Sequence, residues 1–302
     1  MKVSWRRRLW YALIRARMPF KATLIRAYLR VLERRRSRHG EDDPGGEANG
    51  LAVPPARLRV LVNGISDADW FLASGKAQTG YLRQLLEETG QPLQGMDAIL
   101  EFGCGCGRMT RWWAGEQGPR IDACDYNGEL VAWCEQNLPF GHFRRNQLQP
   151  PLPYADDSFD FIYAFSVFTH LSVELAQGWL AELQRVCKPG GLVWFTVHGA
   201  SYRPRLPSEQ QRQFDAGEVV VWFPEIEGTN LCAAYWPAES VAGMLGDGFE
   251  VLAHLDPLVQ SATAQGAQVA PHDAYLVRRV DPGHSPGATP AAARSAATAP
   301  PA

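Results

Sequence analysis

The chain has 302 residues, 46% hydrophobic and 21% charged, with a formal net charge of -2. That length holds one large or two small domains with a substantial core, and no stretch is apolar for long enough to span a bilayer. The near-zero total is uneven: thirteen Lys/Arg against Glu33 alone put residues 1–40 at +12, leaving -14 on the remainder.

Within residues 1–39, Phe20, Leu24, Tyr28 and Leu32 recur every four positions, with Ile25 and Leu29 beside them and arginines on the opposite side. Trp5, Trp10 and Tyr11 add interfacial aromatics. A basic amphipathic helix of this kind lies on an anionic membrane surface, apolar burial and charge attraction acting together. Each basic residue near such a surface is worth about 1 kcal/mol. The well-formed apolar face favours membrane contact over the alternatives, nucleic-acid binding and a solvated or partner-bound helix. Residues 40–54, with the run from Glu41 to Gly50, are short of apolar residues and rich in turn formers, and read as a linker. Residues 55–280 carry the periodic patterns of a folded domain. The tail, 281–302, is mostly Ala, Pro, Ser, Thr and Gly and is predicted to be disordered. The N-terminus lacks the apolar core and cleavage site of a secretory signal. Six cysteines, at 104, 106, 124, 134, 187 and 232, form no C-x-x-C pair, which points to reduced thiols without a metal. A cytoplasmic protein, peripheral at the inner membrane face, is the expected location.

In the domain, Tyr81, Leu82, Leu85 and Leu86 share a helical face that stops at Gly90. Residues 98–102 read as the first strand, with Met109, Trp112 and Trp113 facing inward from a helix after it. Residues 120–124 are a second strand, 129–137 a helix and 140–145 a short third strand. Residues 159–165 form a fourth strand, apolar almost throughout as burial on both faces requires. Leu175, Trp179, Leu183 and Val186 mark a helix opened by Ser172 and ended by Lys188-Pro-Gly-Gly191. Residues 192–197 are a fifth strand, 200–236 a long insertion, and 249–255 with 274–280 a closing antiparallel pair. Alternating strands and helices predict an α/β fold with a doubly wound, mostly parallel sheet, whose ligands sit at the carboxyl ends of the strands.

The most informative stretch is Ile99-Leu-Glu-Phe-Gly-Cys-Gly-Cys-Gly-Arg108. Three alternate glycines let a ligand lie almost on the main chain, and free N–H groups opening the next helix would favour a carboxylate or phosphate. The dinucleotide fingerprint G-x-G-x-x-G fails here: its sixth position is Arg108 counted from Gly103 and Thr110 counted from Gly105. Glu101-x-Gly103-x-Gly105-x-Gly107 instead resembles motif I of the class I S-adenosylmethionine-dependent methyltransferases. Pro150-Pro-Leu-Pro-Tyr-Ala-Asp-Asp-Ser-Phe-Asp160, the strand after it and Lys188-Pro-Gly-Gly191 resemble further segments of the small-molecule members, in the same order. The similarity covers roughly residues 60–200 and weakens towards 280. It implies a Rossmann-like fold with S-adenosyl-L-methionine as cofactor.

The resemblance also implies roles. Glu101 would hold the cofactor ammonium, and the main chain over Gly103, Gly105, Gly107 and Arg108 its carboxylate end. Asp125, about 20 residues past the loop, would grip the ribose diol, a carboxylate accepting two charge-assisted hydroxyl bonds; capping the next helix is its alternative. Tyr126 would lie against the adenine, Asn146 with Gln147 would meet its edge, and Ser166 would border the transferring methyl. Asn146 stands where many relatives carry Asp, and an amide both donates and accepts. His170 and His198 are the candidate bases for a hydroxyl acceptor, with packed or capping histidine as the alternative and proximity alone as the competing mechanism. His254 and His272 read as strand-edge residues. Tyr202, Trp222, Phe223, Tyr235 and Trp236 in the insertion suit stacking on a sugar or an extra core under a long loop. Ser166-Val-Phe-Thr-His-Leu171 with the preceding Pro-Pro-Leu-Pro resembles transferases of sugar and cell-surface glycan pathways, so the expected acceptor is an oxygen of a small molecule or saccharide. A non-catalytic cofactor-binding module at a membrane and a nicotinamide-dependent oxidoreductase are the competing readings.

Overall fold

The computed structural model describes residues 45–255 and 272–280, together with Thr23, Ala27 and Asp43. The basic arm apart from those two positions, residues 256–271 and the tail lie outside the described residues. Expectations for the arm and tail are therefore not addressed by the fold.

In chain order the elements are β1 (Gly46–Ala48), β2 (Leu51–Val53), α1 (Ala56–Asn63), α2 (Ala68–Glu88), β3 (Ala98–Phe102), β4 (Arg120–Asp125), α3 (Gly128–Asn137), β5 (His142–Arg145), β6 (Phe159–Ala164), α4 (Val173–Val186), β7 (Cys187–Val197), α5 (Ser208–Asp215), β8 (Val220–Trp222), β9 (Ala233–Tyr235), α6 (Ala238–Leu245), β10 (Phe249–Leu255) and β11 (Asp273–Arg279). Seven strands form one sheet in the order β10-β11-β7-β6-β3-β4-β5. β5, β4, β3, β6 and β7 run parallel, while β11 pairs antiparallel with both β7 and β10. The chain is thus an α/β protein with the expected mostly parallel, doubly wound sheet and a closing antiparallel pair.

Strand pleating separates two apolar layers. Ala98, Leu100 and Phe102 of β3 and Ile162 and Ala164 of β6 pack with Trp179 and Leu183 of α4 and Val241 and Leu245 of α6. Ile99, Phe161 and Tyr163 point the other way, against Leu82, Leu85 and Leu86 of α2 and Met109 and Trp113. Burying one such side chain contributes about 1.5–3 kcal/mol, so both layers together hold the carboxyl ends of β3, β4 and β6 in register. Asp67 caps α2 by accepting from Trp70 N, and Ser172 caps α4 as expected, accepting from Leu175 N.

Two expectations need correction. The helix anticipated after the glycine loop is one 3-10 turn, Thr110–Trp113. The three loop glycines, all at positive φ, keep the chain turning, and Arg111 spends its guanidinium on the carbonyls of Ala48, Leu51 and Ala52. Those carbonyls belong to the second correction: residues 46–53, read as linker, form a β-hairpin. Asn49 and Gly50 both take positive φ, 56° and 72°, the two-residue turn that matches strand twist. Among the described residues no helix is long and apolar enough to cross a membrane.

Candidate functional site

A cleft of about 500 Å³ opens where β3, β4 and β6 end. Its floor includes Glu101, Gly103, Cys104, Gly105 and Arg108 after β3, Asp125, Tyr126 and Asn127 after β4, Asn146, Gln147 and Leu148 after β5, and Phe165, Ser166 and His170 after β6. Of the twelve sequence-derived candidates, ten meet there. Gly107 does not line it: a Cβ at that position would meet Leu138 Cδ1 at 2.4 Å and Cys134 Sγ at 3.4 Å, so this glycine serves the packing of α3. His198 does not line it either.

The glycine loop is closed on itself. Gly103 N and Cys104 N donate to Cys124 O at 2.8 and 3.0 Å, and Gly107 N to Cys104 O at 3.0 Å. Gly105 N donates to Asp125 Oδ2 at 2.8 Å, while Asn127 N donates to Oδ1 at 2.8 Å. Asp125 therefore shapes the loop and also faces the cleft, each oxygen keeping further acceptor capacity. The cap of α3 is Asn127, whose side chain accepts from Glu129 N. Burial pushes the Asp125 carboxyl up, and the two backbone donors pull it back.

Glu101 is buried, with Oε2 accepting from Tyr163 Oη at 2.8 Å and from Thr110 Oγ1. Burial raises its pKa to about 7 against the donors and Arg108, which oppose the rise. Neither Glu101 nor Asp125 has a cationic side chain within ion-pair distance among the described residues. Asn146 is buried and its Oδ1 has no hydrogen-bond partner, its amide donating to Gln147 O at 2.6 Å. An orphaned acceptor costs about 1–3 kcal/mol and marks a position where a ligand donor fits.

Ser166 holds a left-handed backbone, φ 58°. Its N–H donates to Thr196 Oγ1 at 2.8 Å and its hydroxyl meets Thr169 Oγ1 at 3.1 Å. A non-glycine residue in that region costs on the order of 1–3 kcal/mol, which surrounding contacts must hold.

His170 Nδ1 lies 2.6 Å from Cys232 O. A carbonyl only accepts, so Nδ1 carries the proton and Nε2 is left with its lone pair. Burial holds this imidazole below its ordinary pKa. His198 instead packs among Tyr202, Tyr235, His272 and His170, with ring centroids 4.2–6.2 Å away. Burial and the neighbouring histidines push it far towards the neutral form.

Two parts of the cleft escaped sequence reading. Leu61, Val62, Ile65 and Trp70 wall one side, from α1 and α2. The shared face of Tyr81, Leu82, Leu85 and Leu86 pointed to α2, but nothing in the composition tied either helix to a ligand. His272, taken for a strand-edge residue, lines the cleft because β11 runs antiparallel and so begins at the carboxyl edge. Burial lowers its pKa to about 3. In the insertion, the aromatics form core: Tyr202, Phe214, Val220 and Tyr235 cluster together, and Trp236 joins the main layer. What reaches the cleft is a strap, Gly228, Thr229 and Asn230. Tyr126 Oη donates to Gly228 O at 2.7 Å and Asn230 Nδ2 to Leu61 O at 2.9 Å. Gly228 N donates to His170 O at 2.8 Å.

Residues 100–195 match the family described as "Methyltransferase domain". Among curated proteins, the chain is 30% identical over 158 residues to malonyl-[acyl-carrier protein] O-methyltransferase of Serratia marcescens, covering 50% of this chain and 60% of that one. The enzyme of the same name from Erwinia pyrifoliae is 35% identical over 101 residues, covering 33% and 36%. The chain spans about half the length of the curated relatives it matches. Among solved structures, an S-adenosylmethionine-dependent methyltransferase from Mesorhizobium loti shares 16% identity at TM-score 0.49, over 68% of this chain and 100% of that one. One from Clostridium acetobutylicum shares 13% at 0.48, over 68% and 92%. The family match falls on the glycine loop and on the strands that carry the cleft, so residues 100–195 of this chain are similar to a methyltransferase domain.

Proposed function

We propose that the cleft binds S-adenosyl-L-methionine and that the protein transfers its methyl group to an oxygen of a small molecule or saccharide. The observation that carries the reading is the convergence of Glu101, Asp125 and the orphaned Asn146 Oδ1 on one side-chain-poor cleft. Two carboxylates without a cationic partner suit an ammonium and a ribose diol. The bare amide oxygen suits an exocyclic amine, and Tyr126 beside it offers a ring face. When bound, the cofactor supplies a methyl made electrophilic by its sulfonium. The chain's own work is then alignment, which reaches roughly 7–11 kcal/mol for well-oriented reactants. Ser166, locked by Thr196 and Thr169, gives that part of the cleft a fixed wall. His170 Nε2 is the group able to take a proton from an acceptor hydroxyl, and its neutral state keeps a second positive charge away from the sulfonium.

The relatives' printed name assigns them a malonyl group on a carrier protein, so carboxyl oxygens belong in the acceptor panel beside sugar hydroxyls. The test is calorimetric titration with S-adenosylhomocysteine and with NADH, followed by assay of S-adenosylhomocysteine release across that panel. Binding of NADH alone would refute the reading, and so would release with none of the acceptors. We further propose that residues 1–39 hold the protein at an anionic membrane surface on the cytoplasmic side, on the strength of their +12 charge and apolar stripe. Deleting them should abolish co-sedimentation with anionic vesicles and leave S-adenosylhomocysteine affinity unchanged; persistent sedimentation would refute it.

A further inference from the structure

We propose that the Arg108 side chain, rather than the main chain of the glycine loop, receives a ligand carboxylate in this cleft. The inference rests on the cofactor reading above and adds to it a site for one chemical group.

Arg108 is only 7% exposed. Its Nη1 donates to Gln78 Oε1 at 2.5 Å and meets Ser74 Oγ at 3.4 Å, both from α2. Its Cζ sits 4.9 Å over the Phe165 ring. All three partners are neutral. Glu101, the acid whose field reaches it, gives Oε2 to Thr110 and Tyr163 instead. Arg108 thus has no acidic partner within ion-pair distance among the described residues, and its Nε and Nη2 make no hydrogen bond there, while the residue lines the cleft. A buried charge left without a counter-charge is destabilising, so a guanidinium held this way suits an incoming anion. Anchored at one nitrogen and stacked on one face, it presents the remaining fork, which fits a carboxylate through two parallel bonds.

The main chain of the loop is largely committed elsewhere. Gly103, Cys104, Gly105 and Gly107 have already given their N–H groups to Cys124, Asp125 and Cys104, which leaves fewer main-chain donors of the loop for an anion. Two carboxylates come within the same chemistry: the amino-acid end of the cofactor, next to Glu101, and an acid group of the acceptor. The second has position in its favour, because Phe165 leads into Ser166 and its ring also packs on His272, 5.4 Å between centroids.

The experiment titrates wild type, Arg108→Met and Arg108→Lys with three nucleosides. These are S-adenosylhomocysteine, its decarboxylated analogue, which keeps the ammonium, and 5′-methylthioadenosine, which lacks the whole amino-acid end. Acetate and malonate are then titrated onto protein saturated with S-adenosylhomocysteine. Arg108→Met should bind 5′-methylthioadenosine as wild type does. It should lose at least tenfold in affinity for S-adenosylhomocysteine but not for the decarboxylated analogue if the cofactor's acid is held, or lose acetate and malonate binding if the acceptor's is. Should Arg108→Met fold poorly, Arg108→Lys carries the same comparison, retaining the cation without the fork. Wild-type affinity of both variants for S-adenosylhomocysteine and for both acids overturns the inference and leaves the cofactor reading standing. Failure of wild type to bind any of the nucleosides removes that reading, and the inference with it.

Discussion

Cofactor binding should release a proton, and Glu101 should be its source. Burial raises this carboxyl from an ordinary 4.5 to about 7, a rise corresponding to about 3 kcal/mol against its ionised form. An ammonium bound beside it favours the ionised form and draws the pKa back towards the ordinary value. The sign follows from linkage: the free protein holds more protons than the complex between those two values, so affinity rises with pH across that window. With a bound pKa near 4.5, S-adenosylhomocysteine affinity should rise roughly 50–100-fold from pH 5 to pH 8, most steeply below 7, and binding near pH 6 should release about 0.9 proton. Calorimetry in two buffers of different ionisation enthalpy reads both quantities. Asp125 is also raised by burial, so Glu101→Gln serves to separate the two: it should flatten the profile and abolish the release. Equal affinity at pH 5.5 and pH 8 in wild type, or an unchanged profile in Glu101→Gln, would refute the argument.

Asp125→Ala removes the acceptor for Gly105 N and Asn127 N as well as the proposed ribose contact. At about 1.5–3 kcal/mol per charged bond lost, titration should show S-adenosylhomocysteine affinity falling at least tenfold; wild-type affinity would contradict the assignment. Gly105→Val should also weaken binding, although not by filling the cleft. A Cβ there, on a backbone at φ +56°, would stand 2.7 Å from Val62 Cγ2, so the variant should displace α1 and lower the thermal midpoint too. A loss of affinity with an unchanged midpoint would contradict that route. His170→Ala should lower kcat about 10²–10⁴-fold with S-adenosylhomocysteine affinity unaltered, once an acceptor is in hand; unchanged kcat would leave alignment as the sole device.

The sheet was legible because its signals are local. Ile99 and Phe161 face one layer while Leu100 and Ile162 face the other, and buried parallel strands must then be apolar at every position. Asp125 was legible for a related reason, since a strand–turn–strand unit fixes where the second carboxyl edge falls. The hairpin at residues 46–53 was missed although Asn49-Gly50 marks it: its strands are three residues long and too short to show alternation. The glycine loop misled in a different way. Spacing located it, but not that the N–H groups of Gly103, Cys104 and Gly105 would be spent within the fold, since their acceptors, Cys124 O and Asp125, arrive from another strand.

The same limit explains the histidines. Sequence placed His170 and His198 at the ends of adjacent strands and had no ground to choose between them. The choice is made by long-range partners: Cys232 O, 62 positions away, orients His170 at the cleft, while Tyr202 and Tyr235 enclose His198. Cys232 belongs to the same insertion as Gly228, Thr229 and Asn230, which line the cleft, so the carbonyl that fixes the His170 proton comes from residues 200–236 and not from the sheet.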